Sequence, residues 1–325
     1  MECAGILAAM HKRRTKLARR ITRVANAIES RGVRATYELH DRALSNRRAR
    51  RRFAQAQPQL DVTQQRIVDQ LRIEGFVVLP FGELFPDASR WETIAGAADA
   101  FVAETEEGLR REAGGGDAAL RRSVKTFLVR KNAWGTTLDP GDPWLQLALD
   151  ARVLDLANTY LGLWSKLEYV DLWYTPPAEE EERQSSQRWH RDFNDRLLLK
   201  GFLYLSDVDE QAGPFEYVPR SFPGGELGDL WPWYPGYDGY PPDEEFARRM
   251  EGKRIETFIA PRGTLIFCNT CGFHRGGFAT GKARVLATWT YSSAAALKAL
   301  SERNYAPLGG AAATALPPAG RYAVS

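Results

Sequence analysis

His190 and Asp192 lie two residues apart in the run Gln187-Arg188-Trp189-His190-Arg191-Asp192-Phe193-Asn194-Asp195. On an extended backbone, side chains two apart share a face, so this His-x-Asp pair offers an imidazole and a carboxylate side by side. Two such groups can fill adjacent positions on a metal ion, and a third ligand must come from elsewhere. The chain has four histidines, His11, His40, His190 and His274. The first two belong to a basic N-terminal region, which leaves His274 as the other histidine of the remaining chain. Two His and one carboxylate, with further positions open, form a donor set suited to Fe(II) and oxygen chemistry.

Two further features compete for attention. Cys268, Cys271 and His274 read C-x-x-C-x-x-H, which can bind zinc or act in redox, although no second ligand pair accompanies it. Arg284 follows His274 by ten residues and opens the apolar run Val285-Leu286-Ala287. Buried there, it would call for a carboxylate partner and could pair with it in bidentate fashion. At a strand end it could instead reach solvent, the commoner fate of an arginine.

These groups need a scaffold, and its elements are legible in outline. Asp61 and Gln64 form a capping pair that opens a helix over Val62–Glu74, and Gly75 ends it. Phe76–Leu79 reads as a strand, Ser89–Arg111 as a helix before a Gly114–Gly116 turn, Val124–Val129 as a strand, and Trp144–Leu161 as a helix closed by Gly162. From Leu167 the texture changes to short β runs: Leu167–Tyr174, Arg188–Phe193, Gly201–Ser206, Phe215–Val218, Arg254–Ile259, Thr264–Cys268 and Arg284–Tyr291. Many short strands with Gly/Pro turns after a helical half predict an α+β chain with a sandwich or jelly-roll core and helices packed outside. The acidic run Glu179–Glu182 reads as a solvated loop. Trp231–Pro242, rich in Pro, Gly and aromatics, is either a cover over a site or a loop packed on the body.

The bulk numbers fit a globular protein able to bury a large core. The chain has 325 residues, of which 44% are hydrophobic and 26% charged. No apolar run is long enough to span a membrane. Three cysteines make a poor disulfide framework and point to a reducing, cytoplasmic setting. The net charge of +3 is unevenly spread: residues 1–60 hold 15 of the 44 Lys and Arg but 4 of the 41 Asp and Glu, so the rest carries a net −8. This predicts three parts, a basic helical extension (1–60), a body (61–304) and a loosely held Ala/Gly/Pro-rich tail (305–325). In the extension, Leu17, Ile21, Val24 and Ile28 form a helical stripe, and a second basic helix is expected over about 35–54. Its basic residues between 11 and 52 suit a nucleic acid or an anionic surface, a mitochondrial presequence, or a plain solvated extension.

The stretches WHRDF (Trp189–Phe193), FLYLSDVDEQAGPFEYVPRSF (Phe202–Phe222), RGTLIFCNTCGFHRGG through KAR (Arg262–Arg284) and EGFVVLP (Glu74–Pro80) resemble the phytanoyl-CoA dioxygenase-like Fe(II)/2-oxoglutarate oxygenases. The likeness runs from about Val62 to Tyr291. It implies a double-stranded β-helix, with His190, Asp192 and His274 as iron ligands and Arg284 on the distal carboxylate of 2-oxoglutarate. It also implies consumption of 2-oxoglutarate and O2 with hydroxylation of a small-molecule C–H bond, since related halogenases lack the carboxylate that Asp192 supplies here. One departure is Pro219-Arg220-Ser221-Phe222, where many relatives have Pro-Gly-Ser-His, because Arg220 adopts glycine-like backbone angles less easily. The competing readings are a non-catalytic jelly-roll binding protein and a nucleic-acid contact built on the basic arm.

Overall fold

The computed structural model describes residues 45–115, 127–131, 139–178, 183–231, 239–296 and 315–325, together with 36, 39, 41 and 305. The Leu17–Ile28 stripe, His11, His40, the Glu179–Glu182 run, 232–238, Gly116 and the expected strand start at 124–126 lie outside them.

The core is built from two antiparallel sheets. Strands β1 (Phe76–Pro80), β2 (Val129–Arg130), β3 (Lys166–Thr175), β4 (Leu199–Tyr204), β7 (Thr264–Cys268) and β9 (Arg284–Ser292) form a six-stranded sheet in the order β1-β7-β4-β9-β3-β2. Facing it are β5 (Glu216–Tyr217), β6 (Glu256–Thr257) and β8 (His274–Arg275), ordered β6-β5-β8. Alternation along the strands sends one set of side chains to each side. Val285, Ala287, Trp289 and Tyr291 of β9 join Leu199 and Leu203 of β4 in a core under the helices. Leu286, Phe202, Tyr204 and Ile266 instead meet Phe215, Tyr217 and Phe258 between the sheets. This is the expected jelly roll with helices packed outside.

The helices that position the large sheet begin and end where their caps dictate. Asp61 accepts from the Gln64 amide at 2.8 Å while the Gln64 side chain accepts from the Asp61 amide at 3.1 Å, opening Val62–Glu74. Gly75 ends it at φ 84°, a left-handed angle, and feeds β1 directly. The single helix expected over Trp144–Leu161 is two helices, Pro143–Ala148 and Ala151–Leu161. The break falls at Asp150, whose carboxylate accepts from the Arg152 amide at 2.8 Å and so starts a new helix.

The C-terminal residues 318–324 form a helix with Tyr322, Ala323 and Val324 buried, so the described end of the expected loose tail is part of the core. Lys166 ties it down, donating to the Tyr322 carbonyl at 2.8 Å. At the other end Arg47–Gln55 is helical and buries Ala49. Two of its arginines make intramolecular contacts: Arg50 pairs with Asp41, and Arg52 lies over the Trp164 and Tyr322 rings, 5.4 Å from each centroid.

Gly201 makes room for a bulky side chain on the neighbouring strand of the same sheet. A Cβ there would fall 2.2–2.5 Å from the indole of Trp289 on the neighbouring strand. Gly201→Ala is therefore expected to destabilise the fold by about 1–3 kcal/mol through overpacking. Thermal unfolding would reveal this as a lowered Tm, and an unchanged Tm would refute it.

Candidate metal centre

His190, Asp192 and His274 each place one ligand atom within 4.8 Å of the others, the one such grouping of three among the described residues. The strand expected over Arg188–Phe193 does not form. In its place His190 makes a single two-way bridge to His274, each amide donating to the other's carbonyl at 3.0 Å. The Arg191 amide donates to Gly239 at 3.0 Å and the Asp192 amide to Thr270 at 2.8 Å. The first and third of these amides thus bond to the stretch from Thr270 to His274 and the middle one to Gly239. This denies the stretch a continuous ladder yet pins both ligands.

The ring nitrogens are sorted by their partners. His190 Nδ1 lies 2.8 Å from the Arg188 carbonyl and His274 Nδ1 lies 3.0 Å from the Gly272 carbonyl. A carbonyl only accepts, so each Nδ1 carries the proton and each Nε2 keeps a lone pair for a metal. Burial alone would push the Asp192 carboxyl up, but the Lys200 ammonium bonded to it works the other way and holds the group below the usual carboxylate range. Two neutral imidazoles and an ionised carboxylate match what a divalent iron needs from protein ligands.

The rival cysteine site does not assemble. Cys268 and Cys271 are buried free thiols outside the grouping, and burial raises both above ordinary thiol values. The Cys271 thiol donates to the Asp195 carbonyl at 3.0 Å instead.

Arg284 is 5% exposed, with no carboxylate beside it among the described residues. One guanidinium arm donates to the Gly213 carbonyl, while Nε is buried with no partner. Burial lowers its basicity. The neighbouring cations are already engaged: Arg275 forks onto Glu216 at 2.5 and 3.0 Å, and Lys282 pairs with Asp209. A buried cation without an anion is costly, so the site calls for an anionic ligand.

Three residues near the centre escaped sequence reasoning. Lys200 on β4 donates to Asp192 Oδ2 at 2.6 Å. Tyr240 stacks on His190, with centroids 5.1 Å apart and planes 14° apart. Arg191, 2% exposed, lies over Phe273 and donates to the carbonyls of Ser221 (2.5 Å), Trp231 (2.6 Å) and Gly228 (2.9 Å). Burial lowers its pKa to about 10. The nearby Arg220 stands at φ 59°, the left-handed angle at which relatives with glycine would be unstrained. Ion pairs to Glu74 and Glu226, both at 2.9 Å, hold it there.

No family model matches this chain, and no curated protein matches it. Among solved structures, EctD from S. alaskensis with 2-oxoglutarate and 5-hydroxyectoine aligns over 73% of this chain and 79% of its own, at 18% identity and TM-score 0.50. EctD with bound Fe aligns equally well, with the same coverage, identity and TM-score. The epimerase SnoN from nogalamycin biosynthesis, in complex with Fe3+, alpha ketoglutarate and nogalamycin RO, covers 71% of this chain and 83% of its own at 19% identity and TM-score 0.46. The EctD matches establish the fold, a double-stranded β-helix core with flanking helices. No helix among the described residues is long and apolar enough to cross a membrane.

Proposed function

We propose, from a fold shared with EctD and from the residues gathered inside it, that the protein is an Fe(II)- and 2-oxoglutarate-dependent dioxygenase that hydroxylates a C–H bond of a small molecule. The observation that supports this most is the grouping of His190, Asp192 and His274, with both Nδ1 atoms committed to backbone carbonyls. In this reading the three residues hold the iron, and Arg284 receives the distal carboxylate of 2-oxoglutarate.

When bound, the iron and its cosubstrate supply the oxidising power, with 2-oxoglutarate leaving as succinate and CO2. The chain's residues do the rest. Nδ1–carbonyl bonds hold both imidazoles in one tautomer and orientation. Lys200 restrains one oxygen of Asp192. Arg284 Nε, buried without a partner, gains an acceptor in the cosubstrate. The Tyr240 ring over His190 and the Phe215 ring 5.7 Å from His274 keep water from that side of the centre. With Asp192 as a ligand, the iron would lack the open position that a halide takes in related halogenases, which favours hydroxylation over halogenation. The free, buried Cys268 and Cys271 fit a reducing compartment, consistent with a cytoplasmic enzyme.

Purified protein reconstituted anaerobically with Fe(II) and then given 2-oxoglutarate and air should form succinate, with no product when iron or O2 is withheld. Absence of succinate from protein that has bound both iron and 2-oxoglutarate would overturn the reading.

A further inference from the structure

Strand β9 has two polar ends on one face. Arg284, Leu286, Thr288, Thr290 and Ser292 alternate inward, with Leu286 packed between the sheets. Arg284 stands at one end. Thr288, Thr290 and Ser292 follow, each at most 1% exposed, and the hydroxyl oxygen of each is buried with no hydrogen-bond partner. A buried hydroxyl without a partner is unfavourable by roughly 1–3 kcal/mol, and three in a row on one face leave hydrogen-bonding capacity that the described residues do not use.

The strands beside β9 extend the same wall. Lys200 pairs with Thr290 across β4 and β9, while Tyr169 and Asp171 of β3 pair with Thr290 and Thr288 on the other side. Phe202 and Tyr204, on the same face of β4 as Lys200, join the core between the sheets, so Lys200 also points inward. Thr290 lies six residues from Arg284, roughly 20 Å along the strand, so this wall is separate from the Arg284 end.

The charges on the wall are unequally matched. Arg130 is paired with Asp171. Lys200 has one carboxylate partner, Asp192, and its other ammonium hydrogens have no acceptor among the described residues. An Asp192 that binds a metal shares its charge with that metal, and Lys200 is left as a nearly buried cation in need of an anion.

We propose that Lys200 and the hydroxyls of Thr288, Thr290 and Ser292 form the substrate-recognition wall, and that the substrate is a small polar molecule carrying a carboxylate that pairs with Lys200. This rests on the iron and 2-oxoglutarate reading and names the substrate class for the same centre. The carboxylate anchors the molecule beside Asp192, the hydroxyls take its remaining polar groups, and a C–H bond near that anchor faces the iron. A site built from buried hydrogen-bonding groups discriminates strongly against analogues that leave those groups unpaired.

The test uses the full chain loaded anaerobically with Fe(II) and 2-oxoglutarate, which together give a charge-transfer absorbance. The probes are the L-amino acids and their N-acetyl derivatives, each beside its primary amide, titrated while the band is followed. At least one acid should perturb the band and bind about 10- to 100-fold more tightly than its amide, the span expected of a charge-assisted hydrogen bond. In Lys200→Met that preference should fall to within about twofold. Thr290→Val, which does not touch a metal ligand, should weaken acid and amide alike by several-fold. The same acid should stimulate succinate formation in air, and its amide should not. A panel in which no acid binds better than its amide, or an acid preference that survives in Lys200→Met, overturns this proposal. Failure of the unmodified protein to develop the band at all overturns the iron reading instead, so the two failures are distinguishable.

Discussion

His190→Ala and Asp192→Ala should each abolish retention of iron, with losses beyond the 10- to 100-fold typical of removing an outer partner of a metal ligand. The two variants should nevertheless differ in stability. His190 takes part in a backbone bridge to His274 that does not use its ring, so His190→Ala leaves the fold close to intact. Asp192 is the one carboxylate paired with Lys200, and both side chains are mostly buried, 19% and 12% exposed. Its removal strands a cation in the interior, at a cost of about 3–5 kcal/mol. Asp192→Ala should therefore lower the Tm clearly, and adding Lys200→Met should restore much of it. Metal analysis and thermal unfolding of the three variants check this, and normal iron occupancy in either single variant would refute the ligand assignment.

For Arg284 the expected effects have opposite signs in the free and loaded protein. Arg284→Lys keeps the charge but loses the planar fork, which should weaken 2-oxoglutarate binding by about 1–3 kcal/mol, and Arg284→Met by more. Iron binding should change little, because Arg284 is not among the three grouped ligands. Without 2-oxoglutarate, Arg284→Met should match or exceed the native protein in stability, since it removes a buried cation that has no carboxylate beside it. Anaerobic titration of 2-oxoglutarate against the charge-transfer band, paired with unfolding of the free protein, separates the two effects. An unchanged affinity in both variants would place the carboxylate elsewhere. Arg275 and Lys282 are poor substitutes, as Glu216 and Asp209 already neutralise them.

The parts of this fold that sequence reveals are those governed by local rules. Asp61 with Gln64, and Gly75 after them, mark a helix unambiguously because its first orphan amides and its left-handed exit need those residue types. β7 and β9 are readable because they are largely apolar and paired on both sides, and β3 because of its length. What escapes is set by distant partners. His190 and Asp192 were expected to lie in a strand, but their neighbours are Thr270, Gly239 and His274, so no ladder accumulates. Asp150 looks like any helix surface residue until its carboxylate is seen to start a second helix. β8 is two residues long, below the length at which alternation is visible. Lys200 did carry a signal, a lone cation in the apolar run Leu198-Leu199-Lys200-Gly201-Phe202-Leu203, and a buried lysine implies an anion nearby. The two-His and carboxylate set was accessible mainly because the body holds so few histidines.

Because both polar ends lie on one strand, the span between Arg284 and Ser292 is a length of covalent chain rather than an adjustable gap between moving parts. Residues on β9 advance roughly 3.4 Å each and change face at every step. Inserting or deleting one residue between Arg284 and Thr288 would therefore not lengthen or shorten this span by a little. It would turn the hydroxyls toward the helices and bring the positions of Ala287, Trp289 and Tyr291 inward, exchanging a polar lining for an apolar core. Variation here is confined to replacements at alternate positions, and those at 288, 290 and 292 can change while the face packed under the helices stays as it is. Such a strand works as a ruler with fixed divisions, on which markings can be rewritten but not moved.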